Sequence, residues 1–286
     1  MKALISVDME GISRIVHSSE TNPERYDYQR GRELMTAEAN AVIAGVLDAE
    51  PTADVLVADA HGTFRNLLPE QLDRRARLVR GKPRALNMLA GLDEETDAAL
   101  FVGYHVRAGE GPGVLAHTMN GEILDVRMTV NAPSEDVRTA GRSLGEIGLN
   151  AAMAGHLGVP VVLLSGDDAA CAEAADLIPE AVTVPVKEAL GMAAAVTLHP
   201  EEARDRLRRA AADAVSRRTE IPPLALTGPL DVEVDLASPH TIDLATLVPG
   251  VSRTAGARTV AFTAPDYGTA YRLILLLAQL ATIRPA

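Results

Sequence analysis

Two carboxylates, Asp8 and Glu10, stand one residue apart in SVDMEG, directly after the apolar run ALISV. A strand puts residues i and i+2 on one face, so both acids leave its end in the same direction. Three more apolar runs end in groups of the same kind. DVLVADAHG carries Asp59 and His61, ALFVGYHVRAGEG carries His105, and VPVVLLSGDD carries Asp167 and Asp168. Carboxylates gathered without a partner repel one another, and burying each unpaired costs several kcal/mol. A divalent cation removes that cost. Imidazole nitrogen mixed with carboxylate oxygen suits zinc, with manganese, cobalt or iron as alternatives, and missing thiolates argue against a structural zinc. More than four candidate ligands fit two ions about 3.5–4 Å apart, bridged by a carboxylate such as Asp8. A metal pair of that kind lowers the pKa of a water bound to it.

Each residue also has a structural reading. Asp8 and Glu10 suit the cap of a following helix or a pairing with Arg14, and a single histidine after a strand is commonly structural. Asp59 suits a turn or a contact that orients His61. Asp167 and Asp168 suit the first turn of a helix, where the dipole favours acids. Glu146 follows Ser143 at the S-x-x-E capping-box spacing and alone reads as a cap. His117 lies in GEGPGVLAHTMNG, where glycines 109, 111 and 113 look like a phosphate cradle but lack the following lysine and helix. Joint placement at strand ends, where open α/β sheets bind their ligands, favours the metal reading.

The elements that must position these groups follow from hydrophobic pattern. Continuous apolar runs at 3–7, 54–59, 76–80, 98–104 and 159–165 predict strands buried on both faces. Helical periodicity at 29–48, 143–157, 168–177 and 200–217 alternates with them. The expected fold is α/β, a mostly parallel sheet flanked by helices, with a smaller C-terminal α+β domain. EILDVRMTVN (122–131) alternates apolar and polar, which predicts an antiparallel strand at a sheet edge, and 132–142 reads as a loop. LALT, DVEVDLA and TVAFTA read as strands of the smaller domain, with helices near 240–247 and 266–283. The expected division falls at 185/186, with the candidate metal ligands in 1–185 and the smaller domain in 186–286.

Composition narrows the function classes. The 286 residues are 47% hydrophobic and 23% charged, as in a folded chain, with a formal net charge of −12. An acidic balance argues against nucleic-acid partners and anionic membrane surfaces. Trp is absent and aromatics are 3%, which leaves few base-stacking platforms. No apolar run reaches membrane-spanning length, and the N-terminal apolar stretch is too short for a secretory leader. Cys171 is the single cysteine, which fits a cytoplasmic protein.

Taken together, SVDMEG (6–11), DAHG (59–62), GYHVRAG (103–109), GVLAHTM (113–119), GEIGLNA (145–151) and VPVVLLSGDD (159–168) resemble the D-aminopeptidase family typified by the dipeptide-operon protein, peptidase family M55. The resemblance covers most of residues 1–190 and runs more faintly beyond. It implies a zinc-dependent aminopeptidase acting on short peptides or amino-acid amides, notably with D-amino acids at the N-terminus. The implied metal ligands are Asp8, Glu10, His61, His105 and Glu146, holding two Zn2+ per subunit, and the implied catalytic residue is His117. A homo-oligomer is expected, the family being related to a decameric ring. In the resulting mechanism the peptide's free amine meets a metal or a nearby carboxylate, with Asp167 the candidate. Two other readings stay open. One is a different binuclear metallohydrolase (an amidase, an esterase, or a phosphoesterase using Arg14 or Arg107), and the other is a non-enzymatic metal- or peptide-binding protein. The chain departs from the family pattern in VNAPSEDVRTAGRSLGE, a connection about ten residues longer, and loops of that length reshape substrate access or subunit packing.

Overall fold

The computed structural model describes residues 1–131, 141–254, 256 and 258–284. In chain order the strands are β1 (Lys2–Val7), β2 (Asp54–Asp59), β3 (Arg77–Val79), β4 (Ala98–Tyr104), β5 (Ile123–Val130), β6 (Arg142–Ser143), β7 (Val161–Asp167), β8 (Val182–Gly191), β9 (Ala194–Thr197), β10 (Leu230–Leu236), β11 (Ser252–Arg253) and β12 (Thr259–Ala264). The helices are α1 (Ser18–Thr21), α2 (Tyr28–Ala49), α3 (Glu146–His156), α4 (Asp168–Leu177), α5 (Pro200–Ser216), α6 (Pro239–Ala245) and α7 (Tyr267–Leu280).

Seven strands form the main sheet in the order β3-β2-β1-β4-β7-β8-β9, parallel except for the β8–β9 pair. The central strands are apolar on both faces because both faces are covered. On one side α2 and α5 pack against each other and against the sheet, burying Val42, Ile43, Val46, Leu207 and Val215. On the other side α3, α4 and α7 share a core with the second sheet. That sheet is antiparallel, ordered β11-β12-β10-β5-β6, and α7 touches α3, β10 and β12. The α/β expectation matches this architecture.

Several local expectations change. The predicted boundary at 185/186 falls inside β8. Strands β5 and β6 lie before it yet belong to the second sheet, while β9 and α5 lie after it yet complete the first layer pair. Strand β5 is antiparallel as its alternation requires, but it lies between β10 and the two-residue β6 rather than at the edge. Leu224 and Leu226 of LALT are buried without joining a ladder, so their alternation reflects one-sided packing of an extended segment. Pro185, Lys187 and Glu188 interrupt the apolar pattern of β8, which hides that strand from periodicity. Of the segment read as a loop, 132–140 lies outside the described residues, and Arg142 pairs with Met128 in β6.

Register brings the site together. Val7 of β1 aligns with Asp59 of β2 and with Val102 of β4, so the residues just beyond the three strands share one rim. The Asp8 N–H donates to the Val102 carbonyl at 2.8 Å, and the Gly11 N–H to the Gly103 carbonyl at 2.8 Å. A Cβ at Gly11 would lie 1.9 Å from the Tyr104 carbonyl oxygen, so this crossing of two backbones admits only glycine. The glycine that ends SVDMEG therefore sets how closely Asp8 and Glu10 approach the His105 strand.

Candidate active site

Asp8, Glu10, His105 and Glu146 are buried at this rim, and His61 and His117 are partly covered beside them. Asp8 and Glu10 follow β1, His61 follows β2, His105 follows β4, and Glu146 opens α3. All five expected ligands and His117 therefore come together. His61 Nδ1 lies 2.9 Å from Glu10 Oε2 and 3.3 Å from Asp8 Oδ1. His105 Nε2 lies 3.5 Å from both Asp8 Oδ2 and Glu146 Oε1. His117 Nε2 is 3.8 Å from Glu146 Oε1, and its ring stacks on His105 with centroids 4.0 Å apart. Asp8 is common to the contacts of both His61 and His105, the position a bridging carboxylate needs.

The other nitrogen of each imidazole meets a backbone carbonyl. His61 Nε2 is 3.0 Å from the Thr21 oxygen, His105 Nδ1 is 3.0 Å from the Val106 oxygen, and His117 Nδ1 is 2.8 Å from the Leu115 oxygen. A carbonyl only accepts, so these nitrogens carry the proton in the neutral ring. The remaining nitrogens then aim lone pairs at carboxylate oxygens, acceptor against acceptor. His105 Nε2 is buried without a hydrogen-bond partner. Such an arrangement is stable only with protons or cations between the groups, and a hydrogen-bonded distal nitrogen is the habit of metal-bound histidine. The donor set thus fits divalent cations. Asp8, Glu10 and His105 form one group whose ligand atoms lie within 4.8 Å, and His105, His117 and Glu146 form another.

The electrostatics agree. Burial, then repulsion from Glu10, pushes the Asp8 carboxyl up to about 7. Burial opposes the charged form of His105, but Glu146 and Asp8 outweigh it and raise the ring to about 10. Burial also disfavours charge on Glu10, which His61 overcomes, holding the carboxyl well below its usual range. His117 differs. Burial and then His105 push its pKa down, which favours the neutral ring.

Residues that hold no ligand position fix those that do. Ser6 Oγ and the Tyr104 hydroxyl are 2.9 Å apart, Asn150 Nδ2 donates to that hydroxyl at 3.3 Å, and Tyr271 donates to Asn150 Oδ1 at 2.7 Å. This chain ties β1, β4, α3 and α7 together beneath the site. Asp59 accepts from the Asn66 and Leu67 N–H groups at 2.5 and 2.7 Å, and Asn66 reaches the His61 carbonyl at 2.6 Å. It braces the His61 turn. Asp167 caps α4 and accepts from the Val114 N–H at 2.7 Å, which anchors the loop leading to His117. It does not line the cavity, and this loop role is the one its geometry supports. The expected Ser143 cap of α3 is not formed, because Gly145 is the N-cap and Ser143 Oγ donates to Asp125 at 3.0 Å. The Glu146 carboxylate is turned inward instead, where the Met119 N–H donates to it at 2.6 Å.

Sequence reading missed two supports. Lys187 of β8, buried, donates to the carbonyls of Glu10, Ile12 and Ile15 at 2.5, 3.0 and 2.5 Å and so holds the segment after Asp8. Thr21 in α1 fixes the His61 ring through its carbonyl, a role no side-chain pattern announces. The site opens into a cavity of about 470 Å3 whose far wall includes Leu275, Ala278 and Gln279 of α7. Arg14 and Arg107 do not line it.

A buried carboxylate–imidazole cluster at the carboxyl ends of a parallel sheet, beside a cavity, is the arrangement of a metallohydrolase-type centre. Residues 1–276 match the profile of the Peptidase_M55 family, D-aminopeptidase, and the chain belongs to that peptidase family. It is 37% identical over 282 residues to a D-aminopeptidase of Bacillus subtilis (strain 168), covering 98% of each chain. Its fold superposes with a TM-score of 0.92, at 35% identity and full coverage of both chains, on the Zn-dependent D-aminopeptidase DppA from Bacillus subtilis, described as a self-compartmentalizing protease.

Proposed function

We propose that this chain is a zinc-dependent aminopeptidase that removes an N-terminal residue, notably a D-amino acid, from short peptides or amino-acid amides. The observation that carries the reading is the convergence of three imidazole nitrogens on three buried carboxylates beside one cavity. Asp8, Glu10, His61, His105 and Glu146 would hold two zinc ions. When bound, such ions polarise a peptide carbonyl and lower the pKa of a water at the site. His117 works at Nε2. With Nδ1–H committed to the Leu115 carbonyl, Nε2 takes a proton from the attacking water and passes it to the departing amine, and as an imidazolium it donates to the oxyanion. The ring has no need to act as a covalent nucleophile. The α7 wall supports a substrate-access role for the C-terminal region.

A homo-oligomer is supported by the self-compartmentalizing relative and by exposed apolar side chains at Tyr26, Leu190, Val196 and Leu247; a decameric ring is the form that the motif resemblance implies. Cytoplasmic residence fits the single buried thiol of Cys171. The deciding experiment is hydrolysis of matched D- and L-amino-terminal dipeptides and amides, with metal analysis of the same preparation. Zinc near two per chain and faster release of the D-residue are expected. Asp8→Asn should lose most bound metal and at least a hundredfold in activity. Full activity in that variant, or in metal-free protein, would overturn the assignment.

A further inference from the structure

The cavity is unequal in charge. Its floor holds Asp8, Glu10 and Glu146, while Lys82 is the one lining residue with a permanent positive charge among the described residues. Lys82 stands exposed at the rim and has no carboxylate partner among the described residues. Its Nζ lies 5.4 Å from the centroid of Phe64, on which the Arg84 guanidinium also rests at 4.1 Å. Burial and then Arg84 push the lysine pKa down, with no acid opposing them.

The lysine is also presented on a fixed support. The Gly81 N–H donates to the Phe64 carbonyl at 2.6 Å, and the Phe64 N–H to the His61 carbonyl at 2.8 Å. Arg84 donates to the Asp59 carbonyl at 2.6 Å and to the Val79 carbonyl at 3.3 Å. The loop bearing Lys82 is therefore tied to the turn bearing His61. A cation on a loop tied to the His61 turn, beside an acidic floor, suits a molecule whose reacting end meets the floor and whose other end is anionic. A short peptide with a free C-terminal carboxylate has that charge pattern. Each added residue carries the carboxylate about 3.5 Å further away, so a fixed cation also reads length.

Building on the aminopeptidase reading, we infer that Lys82 is a binding site for the carboxylate of a short peptide substrate, namely its C-terminal carboxylate. The test compares kcat/KM for D-alanylglycine and D-alanylglycine amide in the wild type, Lys82→Met and Lys82→Arg. The acid-to-amide ratio should fall about tenfold in Lys82→Met, through KM, and be largely restored in Lys82→Arg. A third substrate, D-alanyl-D-glutamic acid α-amide, carries its carboxylate only on the side chain. If Lys82 dependence appears for that substrate and not for D-alanylglycine, the C-terminal assignment is overturned. An equal acid-to-amide ratio in the wild type and Lys82→Met overturns the site altogether. Calorimetry with N-methylated, uncleavable versions of the first pair reads the same ratio as Kd. If zinc-loaded protein cleaves none of the peptides, the aminopeptidase reading falls and the Kd ratio still decides Lys82.

Discussion

At each imidazole of the site one hydrogen bond to a backbone carbonyl decides which nitrogen faces inward. His61 is held through Nε2 and offers Nδ1, whereas His105 and His117 are held through Nδ1 and offer Nε2. His117 is set apart by its lowered pKa and by its place against the Leu115–Met119 loop, whose end residues both take positive φ, 52° and 63°. Such backbone is held only by its surroundings, here the Asp167 contact to Val114 and the Glu146 contact to Met119. His117→Ala should lower kcat about 10²–10⁴-fold while zinc content stays near wild type. Turnover unchanged with zinc bound would remove His117 from the chemistry.

The segment after β1 is governed by its neighbours more than by its own propensity. Lys187 from β8 satisfies three of its carbonyls, and Glu38 from α2 accepts the Ser13 N–H at 2.9 Å. Glu38 is buried, and burial, against the opposing pull of Ser13 and then Lys187, raises its carboxyl to about 7 from 4.5. Between these values the folded protein binds the proton that the unfolded chain has released. Stability attributable to Glu38 is therefore full below about pH 4.5 and is lost as pH rises through about 7, by up to roughly 3 kcal/mol. Glu38→Gln should flatten that part of the stability profile, measured by urea unfolding from pH 5 to 8. A slope equal to wild type would show that Glu38 is ionised throughout.

On the scale of the whole molecule, the site joins residues 8, 10, 61, 105 and 146, which only the folded sheet assembles. A ligand that binds the folded form alone adds stability by mass action, about 2.7 kcal/mol at a hundredfold excess over Kd. Chelation of zinc should therefore lower Tm by several degrees, and zinc should restore it. The Asp8→Asn protein should show little of this shift. The second sheet shares in it through α7, whose Tyr271 reaches Asn150 beside the site and whose Ala278 lines the cavity.

The α/β class and the strand-end placement of Asp8, Glu10, His61 and His105 were legible in the sequence, because a strand buried on both faces must be apolar along its length and its end is the first place for polar groups. Glu146 and His117 were not legible from chemistry alone. A capping spacing and a glycine-rich loop each had a local explanation, and the motif resemblance supplied their roles. Tertiary structure alone decided that Ser143 turns to Asp125, that Asp167 serves the His117 loop, that Lys187 approaches the site from a strand far along the chain, and that Lys82 lines its cavity. The physical reason is that periodicity records which face of an element is covered, whereas the partner of a buried polar atom depends on which distant backbone the fold brings within hydrogen-bonding reach.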